Sequence, residues 1–154
     1  MKHKGFTLIE LMIVIAIIIL LVAVAIPQYA RIQDRARIAA VENDLKGIAT
    51  AIESFYSDWG KYPATGYNIL KSELAQSESG ATINVTGKTT LTGEPAPISY
   101  ISVDAFTALE NKVGGSSNVT YTLNGNAYTL SATVSVGGGT KTVTCTNGGV
   151  IKVN

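Results

Sequence analysis

Histidine and cysteine are almost missing from this chain: His3 and Cys145 are the only ones in 154 residues. One cysteine excludes an intramolecular disulfide and any multi-cysteine metal site. The alternation around Cys145 makes it a buried free thiol, used as a small hydrophobe. One imidazole near the N-terminus leaves the rest of the chain without a histidine for acid–base chemistry. An enzyme would need other catalytic groups converging in the C-terminal half, and no such constellation is visible. No catalytic residue, metal ligand, cofactor or small-molecule substrate is assigned. Charge is also scarce, at 15% of residues, and balanced, with 12 basic against 11 acidic side chains. From residue 60 onward Lys61, Lys71, Lys88, Lys112, Lys141 and Lys152 face Glu73, Glu78, Glu94, Asp104 and Glu110. That balance gives no support for a nucleic-acid partner.

Apolar residues, by contrast, are concentrated. From Phe6 to Ile26 only Thr7 and Glu10 break an apolar run of 21 residues. As a helix it spans roughly 30 Å, about the hydrocarbon thickness of a bilayer. A secretory signal peptide has a core of about 7–15 residues and a small-residue cleavage site, and neither description fits. Lys2, His3 and Lys4 ahead of the run place the N-terminus in the cytoplasm and everything after Tyr29 outside. Glu10 is the anomaly. A carboxylate deep in a membrane helix costs roughly 2.5–3.5 kcal/mol on insertion scales, so it implies a partner. Snorkelling to the headgroups is the other way to satisfy it, because it lies about one turn from the boundary.

Pro27 closes the run, and a kink near residues 23–27 is expected because proline removes a backbone bond and crowds the preceding turn. Beyond it Ile38, Val41, Leu45, Ile48, Ile52, Phe55 and Trp59 step by 3, 4, 3, 4, 3 and 4 residues. This is one apolar helical stripe, suited to packing on a sheet. Gly60 and Pro63 end the helix, which would run about 80 Å from Phe6. Residues 60–117 form a long connection, with a helical turn at Leu70–Ala75, a short helix at Asp104–Val113 and a hairpin within 82–92. Then apolar and Thr/Ser residues alternate through Val119–Leu123, Tyr128–Val136, Val143–Cys145 and Val150–Val153, divided by Asn124-Gly125, Gly137-Gly138-Gly139 and Asn147-Gly148-Gly149. A four-stranded antiparallel meander follows, with its apolar face on the Ile38–Trp59 stripe. The fold class is α+β.

Gly5-Phe6-Thr7-Leu8-Ile9-Glu10, with its basic leader and long apolar helix, resembles the N-terminus of type IV pilins and type II secretion pseudopilins. The resemblance covers residues 1 to about 63 and is architectural beyond. It implies that residues 1–5 are a leader cut by prepilin peptidase between Gly5 and Phe6, and that Phe6 is then N-methylated. It implies that 6–26 serve as membrane span and polymerisation helix, 27–59 as the amphipathic half of the same helix, and 60–154 as a β-rich head with a long αβ loop. Glu10 would neutralise the terminal amine of a neighbouring subunit and set the axial register of a helical homopolymer. The implied partners are the subunit itself, the peptidase and an inner-membrane assembly platform. The chain would rest in the inner membrane before assembly and in an extracellular filament afterwards.

Two departures stand out: Ile17-Ile18-Ile19-Leu20 is glycine-free where many pilins carry a glycine, and no C-terminal disulfide loop can form. The family reading is a major pilin, with the major pseudopilin as the alternative. That subfamily's Asp-Pro-Trp-Gly-like motif and calcium loop are not matched, since Trp59 is the sole tryptophan and no Asp or Glu follows Val136. Arg31, Arg35 and Arg37 with Asp34 form a charged belt suited to headgroups or intersubunit ion pairs. Asn84-Val85-Thr86 and Asn118-Val119-Thr120 match the glycosylation triplet, but a Thr-rich chain produces such triplets by chance.

Overall fold

A computed structural model describes residues 6–75 and 99–154. The chain divides into two compact units, Met1–Ala36 and Arg37–Asn154. Helix α1, Leu8–Trp59, contributes to both and continues through Pro27.

In the first unit the large apolar side chains, from Phe6 through Ile26, are all exposed. Among the described residues this is one helix long and apolar enough to cross a membrane.

The second unit contains the last part of α1, α2 (Tyr67–Leu74), α3 (Val103–Val113) and four strands, β1 (Val119–Asn124), β2 (Ala127–Val136), β3 (Gly139–Thr146) and β4 (Val150–Val153). The strands form one antiparallel sheet in the order β1-β2-β3-β4, the meander that the alternation predicts. Register explains the two faces. Tyr121, Leu130, Cys145 and Ile151 lie in one row across the sheet, and Val119, Ala132, Val143 and Val153 in the next. Thr120, Ser131, Thr144 and Lys152 form a row on the opposite face. Because successive side chains of a strand alternate, one face is apolar and the other is hydroxyl-rich.

The apolar face shares a core with α1. Val41, Leu45, Ile48, Ile52 and Phe55 are buried, while Ile38 and Trp59 at the ends of the stripe are partly buried against that core. Ala49 and Ala51 are buried beside them, so the covered face of α1 is broader than a single stripe. Cys145 is a free, fully buried thiol, and burial raises its pKa.

Glycines in the left-handed region end two helices. Gly60 (φ 67°) follows α1, its N–H donating to Tyr56 O at 2.8 Å. Gly114 (φ 83°) caps α3, and Gly115 N donates to Glu110 O at 2.8 Å, closing the last turn. The Asn118 amide also donates to Val113 O at 2.7 Å, a structural task for a residue of the second glycosylation triplet. Helix α2 begins earlier than the turn expected from Leu70, because Tyr67, Leu70 and Leu74 supply a buried 3–4 spacing. Gly5, the first triplet and the expected hairpin lie outside the described residues.

Candidate functional site

The anomalous carboxylate has a partner within its own chain. Thr7 stands immediately before α1 and Glu10 is its third residue, the positions at which a hydroxyl and a carboxylate can satisfy each other's backbone N–H. Thr7 N donates to Glu10 Oε2 at 2.9 Å, and Glu10 N donates to Thr7 Oγ1 at 3.3 Å. The Thr7 hydroxyl also donates to Glu10 Oε2, at 2.6 Å. This is a complete capping box, and it satisfies two backbone donors that the start of any helix leaves unpaired. Both bonds accepted by the carboxylate fall on Oε2, so Oε1 takes no part in the box. Phe6 directly precedes the cap and is exposed. The T-x-x-E spacing ahead of an apolar run signals this box, and reading Glu10 only as an intruding charge misses it.

At the other end of α1 a polar network anchors the helix to the sheet. Glu53 Oε2 accepts from the Tyr62 hydroxyl at 3.2 Å, and Oε1 accepts from Gly148 N at 3.2 Å. Asn147 Oδ1 accepts from Tyr128 N at 2.6 Å, while its amide donates to Asn126 O at 2.7 Å and to Tyr62 Oη at 3.3 Å. One carboxylate and one amide thus tie the end of α1 to the β1–β2 and β3–β4 turns. Burial, then the Glu53 charge, raise the Tyr62 pKa. Trp59 Nε1 donates to Tyr100 Oη at 2.9 Å, and Tyr100 donates to Asp58 Oδ2 at 2.8 Å. The Phe55 ring stacks on Trp59 at 5.9 Å and meets Tyr100 edge-on at 5.5 Å, so these aromatics are core and clasp.

Glu73 is a buried carboxylate that accepts from Ala64 N at 3.0 Å. Burial raises its pKa, against the lowering effects of that N–H and of Lys61. It lines a cleft of about 280 Å³ with Phe55, Lys61, Tyr62, Leu123 and Asn126. A single bonded carboxylate offers no nucleophile and base in reach of each other. Among the described residues no group of three His, Cys, Asp or Glu side chains could hold a metal.

The N-terminal arrangement is the one with recognisable relatives. Residues 1–26 match the prokaryotic N-terminal methylation motif. The chain is 46% identical over 61 residues to the type IV major pilin PilA of Myxococcus xanthus, covering 40% of this chain and 28% of that one. It is 44% identical over 86 residues to the type IV major fimbrial protein FimA of Dichelobacter nodosus, covering 51% and 54% respectively. It is 38% identical over 64 residues to the type II secretion system core protein G of Pseudomonas aeruginosa, covering 42% and 45%. No solved structure matches the chain. Its N-terminal part is thus similar to that of type IV pilins and of a type II secretion pseudopilin. It spans about half or less of the length of the relatives it matches.

Proposed function

We propose that this chain is a structural subunit, the major pilin of a type IV pilus. It is matured by prepilin peptidase between Gly5 and Phe6, N-methylated at Phe6, and polymerised from the inner membrane by an assembly platform. The carrying observation is the uninterrupted exposure of the apolar half of α1, which nothing among the described residues covers. An apolar surface of that extent is stable only in lipid or against copies of itself. Cleavage would turn Phe6 into a cationic terminus four residues from Glu10. With Oε2 occupied by Thr7, Oε1 is the oxygen for the terminus of a neighbouring subunit. An uncompensated charge in an apolar filament core is strongly unfavourable, so the pair fixes the axial register. Adhesion, motility or DNA uptake would then belong to the fibre.

Two substitutions separate the charge from the cap, and a third tests the cleavage. Glu10→Gln keeps an acceptor for Thr7 and loses the charge, and it should be processed normally yet yield few filaments. Thr7→Val loses the cap hydroxyl and keeps the charge, and should assemble. Gly5→Leu should leave an uncut, membrane-held precursor. Normal filaments from Glu10→Gln would refute the register role.

The similarity to secretion protein G supports a second reading, a pseudopilin. The stretch after Val136 contains no Asp or Glu, which leaves that subfamily's calcium loop without carboxylate ligands and favours the pilin.

A further inference from the structure

The first unit carries a small polar feature just past its apolar run. Arg31 and Arg35 are exposed, four residues apart on α1 and therefore neighbours on one helix face. Neither takes part in the two ion pairs found among the described residues, Lys71–Glu110 and Lys112–Asp44. Between them Asp34 is partly buried and has an interaction of its own. The net charge of the patch is therefore small, and geometry matters more than charge: the i, i+4 spacing puts two guanidinium-bearing side chains on one helix face. Planar forks bind phosphate oxygens in bidentate fashion, which a lysine ammonium cannot do.

Depth along the helix selects the partner. Arg31 and Arg35 follow Ile26 by five and nine residues, about 7.5 and 13.5 Å along the axis. The headgroup layer occupies about 5–7 Å on each side of the hydrocarbon. Helical side chains lean toward the N-terminus, so Arg31 stands at the edge of that layer and Arg35, one turn beyond, has a long side chain directed back toward it by the helix geometry. Tyr29, 64% exposed, lies at the level where aromatic rings prefer the interface. Charge asymmetry points the same way. Lys2 and Lys4 precede the span, while Arg31 and Arg35 are joined by Arg37 after it. Basic residues on the exported side work against an orientation with the N-terminus inside, and an anionic partner on that side offsets the penalty.

We infer that Arg31 and Arg35 form a two-pronged clamp for the phosphate of an anionic phospholipid in the outer leaflet, holding the unassembled subunit at a fixed depth. The inference rests on residues 6–26 spanning the bilayer. The test uses the full chain in vesicles of phosphatidylcholine with or without phosphatidylglycerol, followed by flotation and native mass spectrometry of retained lipid. Wild type should retain phosphatidylglycerol over phosphatidylcholine at least about fivefold, Arg31→Gln with Arg35→Gln should fall to parity, and the paired Lys variant should lie between. Parity in the wild type, or an unchanged preference in the Gln variant, overturns the clamp. Loss of the preference in millimolar inorganic phosphate overturns it as well, by assigning the site to a free anion. Failure to float with either vesicle overturns the span itself, a result distinct from flotation without preference.

Discussion

The two halves of α1 are built from similar residues and meet opposite fates. In the first, Leu8, Ile13, Ile17, Leu20 and Val24 are exposed; in the second, Val41, Leu45, Ile48, Ile52 and Phe55 are buried to within 1%. Composition alone therefore does not decide burial. The second half interleaves its apolar residues with Glu42, Asn43, Lys46 and Glu53, so only one face seeks cover, and the sheet supplies it. The first half is apolar all round, and a single sheet cannot cover every face of a helix. Such a helix finds cover only in lipid or against other apolar helices.

Matched substitutions sharpen this contrast. Leu45→Ala should destabilise the head by about 2–5 kcal/mol, whereas Leu20→Ala should leave head unfolding in detergent unchanged. Chemical denaturation followed by Trp59 fluorescence reads both. Equal losses would erase the distinction between the halves. Next in size is the clasp. Asn147→Ala removes partners from Tyr128 N and Asn126 O and should cost about 1–3 kcal/mol in the same assay.

Glu73 gives a smaller effect with a definite sign. Burial holds its carboxyl above the ordinary value of 4.5, so the folded head takes up a proton at a pH where the unfolded chain does not. Stability should therefore fall as pH rises from about 4.5 through the raised folded-state pKa. Glu73→Gln, which keeps an acceptor for Ala64 N–H, should flatten that slope, and an unaltered pH profile would locate the titration elsewhere. Smallest is Asp44→Asn. It breaks an exposed ion pair to Lys112 and should cost no more than about 1 kcal/mol, less in high salt.

What was legible in the residues follows from periodicity. The 3–4 stepping from Ile38 to Trp59 and the Thr-interleaved strands gave the helix face, the strand order and the burial of Cys145, because each is a local pattern repeated several times. Helix α2 was less legible, since eight residues hold barely two turns and Tyr67 follows a glycine. The clasp was not legible at all. Glu53 reads as one more polar residue of an outer face, yet its bond to Gly148 joins positions 95 apart, which only the folded chain brings together. Glu10 lies between these cases. Its oddity was plain, but its local bond to Thr7 needed the capping spacing to be recognised.

The proposal that this chain becomes a filament subunit beginning at Phe6 can be checked at its terminus. The most direct measurement is mass spectrometry of filaments sheared from cells, reading the N-terminal peptide of the dominant chain. This chain is expected as the main component, starting at an N-methylated Phe6. An intact Met1 terminus in the filaments, or a mature chain confined to the envelope fraction, would contradict it.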